Sequence, residues 1–247
     1  MKRENTQIAR GNAAYYETDW AVSEYNREDG LRPLELKLVE QFFPPPPCSV
    51  LDVACGAGRT TMGFARKQYR VVGIDISDLL LREALRRYPS LIFHRMDATK
   101  LAYRDQSFDA AMFSYNGIDC IYPVSGRVEA MREVFRVIRP GGIFVFSSHN
   151  LIGSIFSGGY VYLAGYWNAA KLLSQQIGNP VARKWYIRYE DQGGAQFLYS
   201  APPEYTVRQL GSVGFSVLAV CGNCENASRH KVTLREQHVH FVAQKPK

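Results

Sequence analysis

The chain has 247 residues, 46% of them apolar, enough for one sizeable core and near the upper end of what a single α/β domain holds. Its formal charge of +7 is spread in short clusters such as Arg82, Arg86 and Arg87, which read as a solvated helix face rather than a nucleic-acid patch. The five cysteines form an odd, scattered set that argues against a disulfide framework, and the charged start MKRENTQIARGNAAYY has no apolar run of the secretory kind, so a cytoplasmic protein is expected.

Residues 1–47 are expected to form a helical cap. Leu31, Leu34, Leu38 and Phe42 recur at helical spacing until Pro44 to Pro47 stop the helix. Ser49 to Val53 is a short apolar strand, followed by the turn Cys55-Gly56-Ala57-Gly58 and a helical pattern around Thr61 to Lys67. A second strand, Arg70 to Ile74, closes on Asp75, and Ser77 is placed to cap the helix Asp78 to Tyr88. Strands are also expected at 91–95, 108–114 and 143–148, with a helix at 127–138 before the last of these. Strands alternating with helices predict a mostly parallel sheet covered on both faces, with residues 48–150 as its ligand-binding core.

Residues 151–200 break the pattern and are rich in glycine and aromatics, among them Tyr160, Tyr162, Tyr166, Trp167, Trp185, Tyr186, Tyr189, Phe197 and Tyr199. No formally charged residue occurs between Arg139 and Lys171, but serines, His149, Asn150 and glycines interrupt that stretch, so a lid packed on the core is expected and a membrane span is not. Residues 201–247 complete a single domain with a helix near 206–213 and strands near 215–220 and 238–243, an antiparallel pair at the sheet edge. The expected architecture is a three-layer α/β sandwich with a seven-stranded, mostly parallel sheet, an antiparallel edge strand and a lid inserted between strands five and six.

Glycines directly after a first strand let the backbone approach a ligand, and the next helix offers free N–H groups. In open parallel sheets the ligand lies beyond the carboxyl ends of the strands, where strand order reverses. Asp75, 17 residues after Gly58, is placed to accept hydrogen bonds from two ribose hydroxyls, a task that suits an acceptor-only group.

A single G-x-G is weak evidence, but the order of segments is not. VLDVACGAGRTT, VVGIDIS, MDATKL, FDAAMFSYNGI and EVFRVIRPGGIFVF resemble, in sequence, the successive motifs of class I S-adenosylmethionine-dependent methyltransferases. The resemblance covers residues 48 to about 148 closely and 200–245 loosely, is nearest to the small-molecule group, and implies a Rossmann-like fold. It implies that Asp52, Ala54, Gly56 and Gly58 surround the methionine part of S-adenosyl-L-methionine. Asp75 would then hold the ribose, Ile76 the adenine face, and Asp97 and Ala98 the adenine edge, with Tyr115 near the methionine amino group. The acceptor implied is a small, apolar or aromatic molecule methylated at oxygen or nitrogen, without nucleic acid or membrane as partner.

His149, at the end of the fifth strand, is the candidate general base for an oxygen acceptor. No metal-ligand spacing occurs, and Cys221-Gly222-Asn223-Cys224 lacks a second pair, so it reads as two loop thiols. Two alternatives stand beside this reading. An NAD(P)-dependent oxidoreductase would need glycine at position 61, where the chain has Thr61. An RNA methyltransferase is disfavoured because the fourth strand ends Ser114-Tyr115-Asn116-Gly117, unlike the N/D-P-P-Y/F of base-amino enzymes, and no basic recognition domain is appended.

Overall fold

A computed structural model of the protein describes residues 2–156, 185–222 and 236–247. Strand β1 (Ser49–Val53) sits near the centre of a seven-stranded sheet, between β2 (Arg70–Asp75) and β4 (Phe108–Phe113) and parallel to both. The sheet runs β3-β2-β1-β4-β5-β9-β8, with β3 at Ile92–Arg95, β5 at Ile138–His149, β8 at Ser216–Cys221 and β9 at His238–Gln244. The chain crosses from β3 to β4 over β1 and β2, so strand order reverses between β1 and β4 and opens a crevice at their carboxyl ends.

Both faces of the sheet are covered, which is why β1 reads as an unbroken apolar run around one aspartate. Leu51, Val53, Ile74, Phe113, Phe144 and Phe146 pack on α6 (Val124–Val137) and α8 (Pro203–Val213). Val50, Val71, Ala110, Met112 and Val145 pack on α3 (Pro33–Phe42) and α4 (Arg59–Arg66). Helix α5 (Asp78–Arg87) is capped by the Ser77 hydroxyl, which accepts the Leu80 N–H as the sequence predicted. Two further helices, α1 (Lys2–Tyr15) and α2 (Asp19–Tyr25), precede α3 and form the amino-terminal cap.

The antiparallel strand is not at the edge. β9 lies between β5 and β8 and runs against both, so the outermost strand β8 points the same way as β5. The physical reason is burial: Val239, Phe241, Val242 and Ala243 of β9 are enclosed on both faces, whereas Leu218 of β8 is exposed.

The insertion after β5 begins with the short helix α7 (Leu151–Phe156) and ends in a hairpin of β6 (Tyr186–Asp191) and β7 (Gly194–Tyr199) that forms its own sheet. Tyr186 and Tyr199 are buried with Tyr122 and Ala201 in a small separate core, against which Ile8 of α1, Trp185 and Phe197 pack. These insertion aromatics are therefore structural. Tyr160, Tyr162, Tyr166, Trp167, His230 and Cys224 lie outside the described residues.

Candidate functional site

At the end of β1 the backbone turns sharply, with Ala54, Gly56 and Gly58 all at positive φ (52°, 53° and 85°). For Ala54 that conformation costs roughly 1–2 kcal/mol, the kind of strain that gathers where a ligand must meet backbone. Gly58 is required by space as well, since a Cβ there would lie 2.9 Å from the Tyr88 ring and 3.0 Å from Phe93. At Gly56 a Cβ would meet only Leu80, at 4.0 Å, so the turn is open on that side.

Asp75 closes β2 directly opposite. Its Oδ2 accepts the Gly56 N–H (2.8 Å) and its Oδ1 the Ser77 N–H (2.9 Å), which ties the two turns together. Burial pushes its pKa up, and the backbone N–H groups of Ser77, Gly56 and Ile76 pull it part of the way back. Each oxygen keeps a second acceptor site for a ligand hydroxyl.

These turns line one cavity of about 760 Å³, within the roughly 300–1,000 Å³ usual for small-molecule sites. Of the residues named from the sequence, Ala54, Gly56, Asp75, Ile76, Asp97, Ala98 and Tyr115 all line it. Asp97 turns one carboxylate oxygen onto the Thr99 N–H and hydroxyl, both at 2.8 Å. Tyr115, also at positive φ, lies under the Arg32 guanidinium (4.2 Å to the ring centroid) and edge-on to Tyr25.

The remaining walls come from the cap and from the stretch after β4. Asn12, Tyr16 and Tyr25 face Cys120, Ile121 and Tyr122. The Tyr16 hydroxyl is 2.8 Å from the Cys120 sulfur, and Asn12 donates to the Cys120 and Phe197 carbonyls at 2.7 Å each. Burial drives the Tyr16 and Tyr25 phenols up and the Cys120 thiol up to about 12, so all three stay protonated near neutral pH. The cap is also fastened to the cofactor side. Glu17 accepts the Asp78 and Leu79 N–H groups at the start of α5, and the Ser77 hydroxyl donates to the Tyr16 carbonyl.

Three residues singled out from the sequence do not line the cavity. Gly58 serves the packing of α4 on Tyr88 and Phe93. Asp52 is fully buried beneath the turn, where its Oδ2 accepts the hydroxyls of Thr60 (2.7 Å) and Thr61 (2.6 Å). Its Oδ1 has no partner among the described residues, and burial raises its pKa to about 6. The third is His149. Its Nδ1 and its backbone N–H both lie 2.7 Å from Asp119 Oδ2, which ties the ring to the 3-10 turn Gly117–Cys120.

His149 packs edge-on against His238, whose Nδ1 is 2.9 Å from the Asn116 side-chain amide. Burial, and then the neighbouring His149, push the His238 pKa down to about 4. A histidine that titrates near 6.5 when unfolded and near 4 when folded takes up its proton first in the unfolded chain, so it removes stability as pH falls from about 6.5 towards 4. Asp52 works the other way, because its raised pKa adds stability as pH falls from about 6 towards 3.8. His238→Gln should therefore shrink the melting-temperature difference between pH 7 and pH 5 in the sense that favours pH 5. An unchanged difference by scanning calorimetry would show that folding does not lower the His238 pKa.

With this geometry in place, similarity to known proteins can be set beside the site. Residues 50–142 match the family model of a methyltransferase domain. The demethylmenaquinone methyltransferase of Beutenbergia cavernae is 40% identical over 96 residues, 39% of this chain and 38% of that protein. Over residues 50–142 the chain is similar to methyltransferases. The match spans only about two fifths of the length of the curated relatives.

Solved methyltransferases show a similar fold over most of the chain. One is a protein from Methanosarcina mazei described as an S-adenosylmethionine-dependent methyltransferase (TM-score 0.68, 19% identity, 88% of this chain and 99% of that one). Another is the 1,6-didemethyltoxoflavin-N1-methyltransferase of Burkholderia thailandensis, with S-adenosylhomocysteine and 1,6-didemethyltoxoflavin bound (0.64, 16%, 99% and 90%). Sequence reading missed Asn12, Tyr16, Tyr25, Arg32, Arg59 and Cys120 as cavity residues. The tyrosines of the cap were visible, but nothing in their spacing says that the cap folds back over β2 and the 3-10 turn.

Proposed function

We propose that the chain transfers the methyl group of S-adenosylmethionine to a small-molecule acceptor, at oxygen or nitrogen. The observation that carries this reading is that the turns after β1, β2, β3 and β4 line one cavity together with residues of the cap. The residues present suit the cofactor. Asp75 offers a buried, acceptor-only pair of oxygens for a ribose, Ile76 and Ala98 an apolar flank for a base, and the open side of Gly56 close backbone approach.

When bound, the cofactor supplies an electrophilic methyl group on a sulfonium. The protein's part in such an in-line displacement is alignment and exclusion of water. Tyr16, Tyr25, Ile121 and Tyr122 give the acceptor wall apolar surface, which favours an apolar or aromatic molecule. The phenols of Tyr16 and Tyr25 stay protonated and so orient an acceptor by donating hydrogen bonds rather than by taking its proton. We also propose the division of labour read from the sequence, with a helical cap (1–47), a cofactor-binding core (48–150), an inserted lid and substrate region (151–200) and a carboxyl-terminal helix and strands (201–247).

Titration calorimetry tests the reading. S-adenosylmethionine and S-adenosylhomocysteine should both bind and NADH should not. Binding of NADH, with neither sulfur compound bound at millimolar concentration, would overturn the proposal.

A further inference from the structure

Glu35, in the first turn of α3, is buried (3% exposed) and does not line the cavity, yet every group that donates to its carboxylate belongs to a residue that does. Oε2 accepts the Arg32 backbone N–H and Arg59 Nη1, both at 2.8 Å. Oε1 accepts Arg59 Nη2 at 2.8 Å and the Ser114 hydroxyl, and Ser114 Oγ in turn accepts a second bond from Arg59 Nη2 at 2.7 Å. The three donor residues come from three separate segments. Arg32 caps α3 and covers the Tyr115 ring, Arg59 opens α4 directly after Gly58, and Ser114 joins β4 to Tyr115.

We infer that Glu35 is a positioning residue for cofactor binding, fixing the turn after β1, the turn after β4 and the cap against one another. The inference rests on the reading of this cavity as the S-adenosylmethionine site. Its physical basis is that a buried carboxylate with four donors holds each of them in a narrow geometry, and two of those donors are a charged fork. Burial alone would raise the pKa of Glu35, but Arg59, Ser114 and the Arg32 amide outweigh it, so the group stays ionised at neutral pH. Among the described residues Glu35 is the only ion-pair partner of Arg59, so removing the charge frees a buried guanidinium at the mouth of α4.

A merely structural role, pinning α3 to α4, predicts a different outcome. It would lower the melting temperature and the active fraction while leaving the cofactor dissociation constant of the folded protein unchanged. The decisive comparison is calorimetric binding of S-adenosylhomocysteine to the parent, Glu35→Gln, Glu35→Asp, Ser114→Ala and Leu38→Ala, each on folded protein. Leu38 is buried on the same helix and is not among the cavity-lining residues, so it reports general loosening of α3.

Groups that hold a binding residue in place change affinity by about 10- to 100-fold at metal sites, and the same scale is expected for Glu35→Gln. Glu35→Asp should recover part of the loss, Ser114→Ala should weaken binding several-fold, and Leu38→Ala should lower stability without changing affinity. The KM for S-adenosylmethionine should rise with Glu35→Gln while kcat at saturation stays near the parent value. No binding by the parent would sink the cavity reading itself. Parent-like affinity in Glu35→Gln, or equal weakening by Leu38→Ala, would overturn the inference while leaving the cavity reading intact. Should Glu35→Gln not fold, parent-like affinity in Ser114→Ala would overturn it.

Discussion

Asp75→Ala should weaken S-adenosylmethionine binding by about 2–4 kcal/mol, roughly 30- to 1,000-fold, while the sheet stays folded. Two effects add. The variant loses the charge-assisted bonds from the ribose hydroxyls, and it releases the Gly56 and Ser77 N–H groups that the carboxylate holds at 2.8 and 2.9 Å. The second effect loosens the turns that line the cavity even before a ligand arrives.

Asp75→Asn separates the two. It keeps the shape and one acceptor oxygen but presents an NH₂ group to one of those backbone donors, so it should bind more weakly than the parent. Because burial raises the Asp75 pKa, binding that needs its charged form should also weaken in acid, starting at higher pH than for an exposed aspartate. Titration calorimetry of each variant, with circular dichroism to check folding, measures this. Parent-like affinity in Asp75→Ala would remove Asp75 from the ribose.

The half of this cavity that we assign to the cofactor was legible in the sequence because it is built from contiguous pieces. Ala54 to Gly58, Asp75 to Ser77, Asp97 to Thr99 and Ser114 to Tyr115 are each a turn directly after a strand, and parallel strands deliver such turns to one edge of the sheet. What periodicity does not encode is which face a turn presents. Asp52 and Gly58 stand in the same motif as Gly56, yet one points into the α4 layer and the other meets Tyr88 and Phe93.

The cap was harder still, since its placement depends on pairs far apart in sequence, such as Tyr15 with Asp191 and Asn12 with Phe197. The hairpin β6–β7 did carry a local sign, the Asp191-Gln192-Gly193-Gly194 turn between two aromatic, alternating runs, which aromatic richness obscured. The inward place of β9 had no such sign, because SVLAVC of β8 is the more apolar of the two strands although its Leu218 is exposed.

Asp119→Ala should cost about 3–5 kcal/mol of folding stability, more than any change at His149, because it strands a buried guanidinium. Arg127 and Asp119 are both fully buried, 2.5 Å apart, and the same carboxylate accepts the Ser148 hydroxyl (2.7 Å) as well as the His149 backbone and ring nitrogens. It therefore joins the start of α6, the end of β5 and the 3-10 turn whose Cys120 and neighbouring Ile121 form the acceptor wall. His149 contributes one ring nitrogen to that hub. His149→Ala should then lower stability by about 1–3 kcal/mol, the cost of an unmet buried acceptor, and leave kcat of the folded enzyme within a few-fold of the parent. A general base removed from an oxygen acceptor would instead cost about 10²–10⁴-fold in rate, so a hundredfold fall in kcat with normal melting and normal cofactor affinity would place His149 in the chemistry after all. The geometry favours the first outcome, because His149 is not among the residues that line the cavity and its ring is engaged with Asp119 Oδ2 at 2.7 Å.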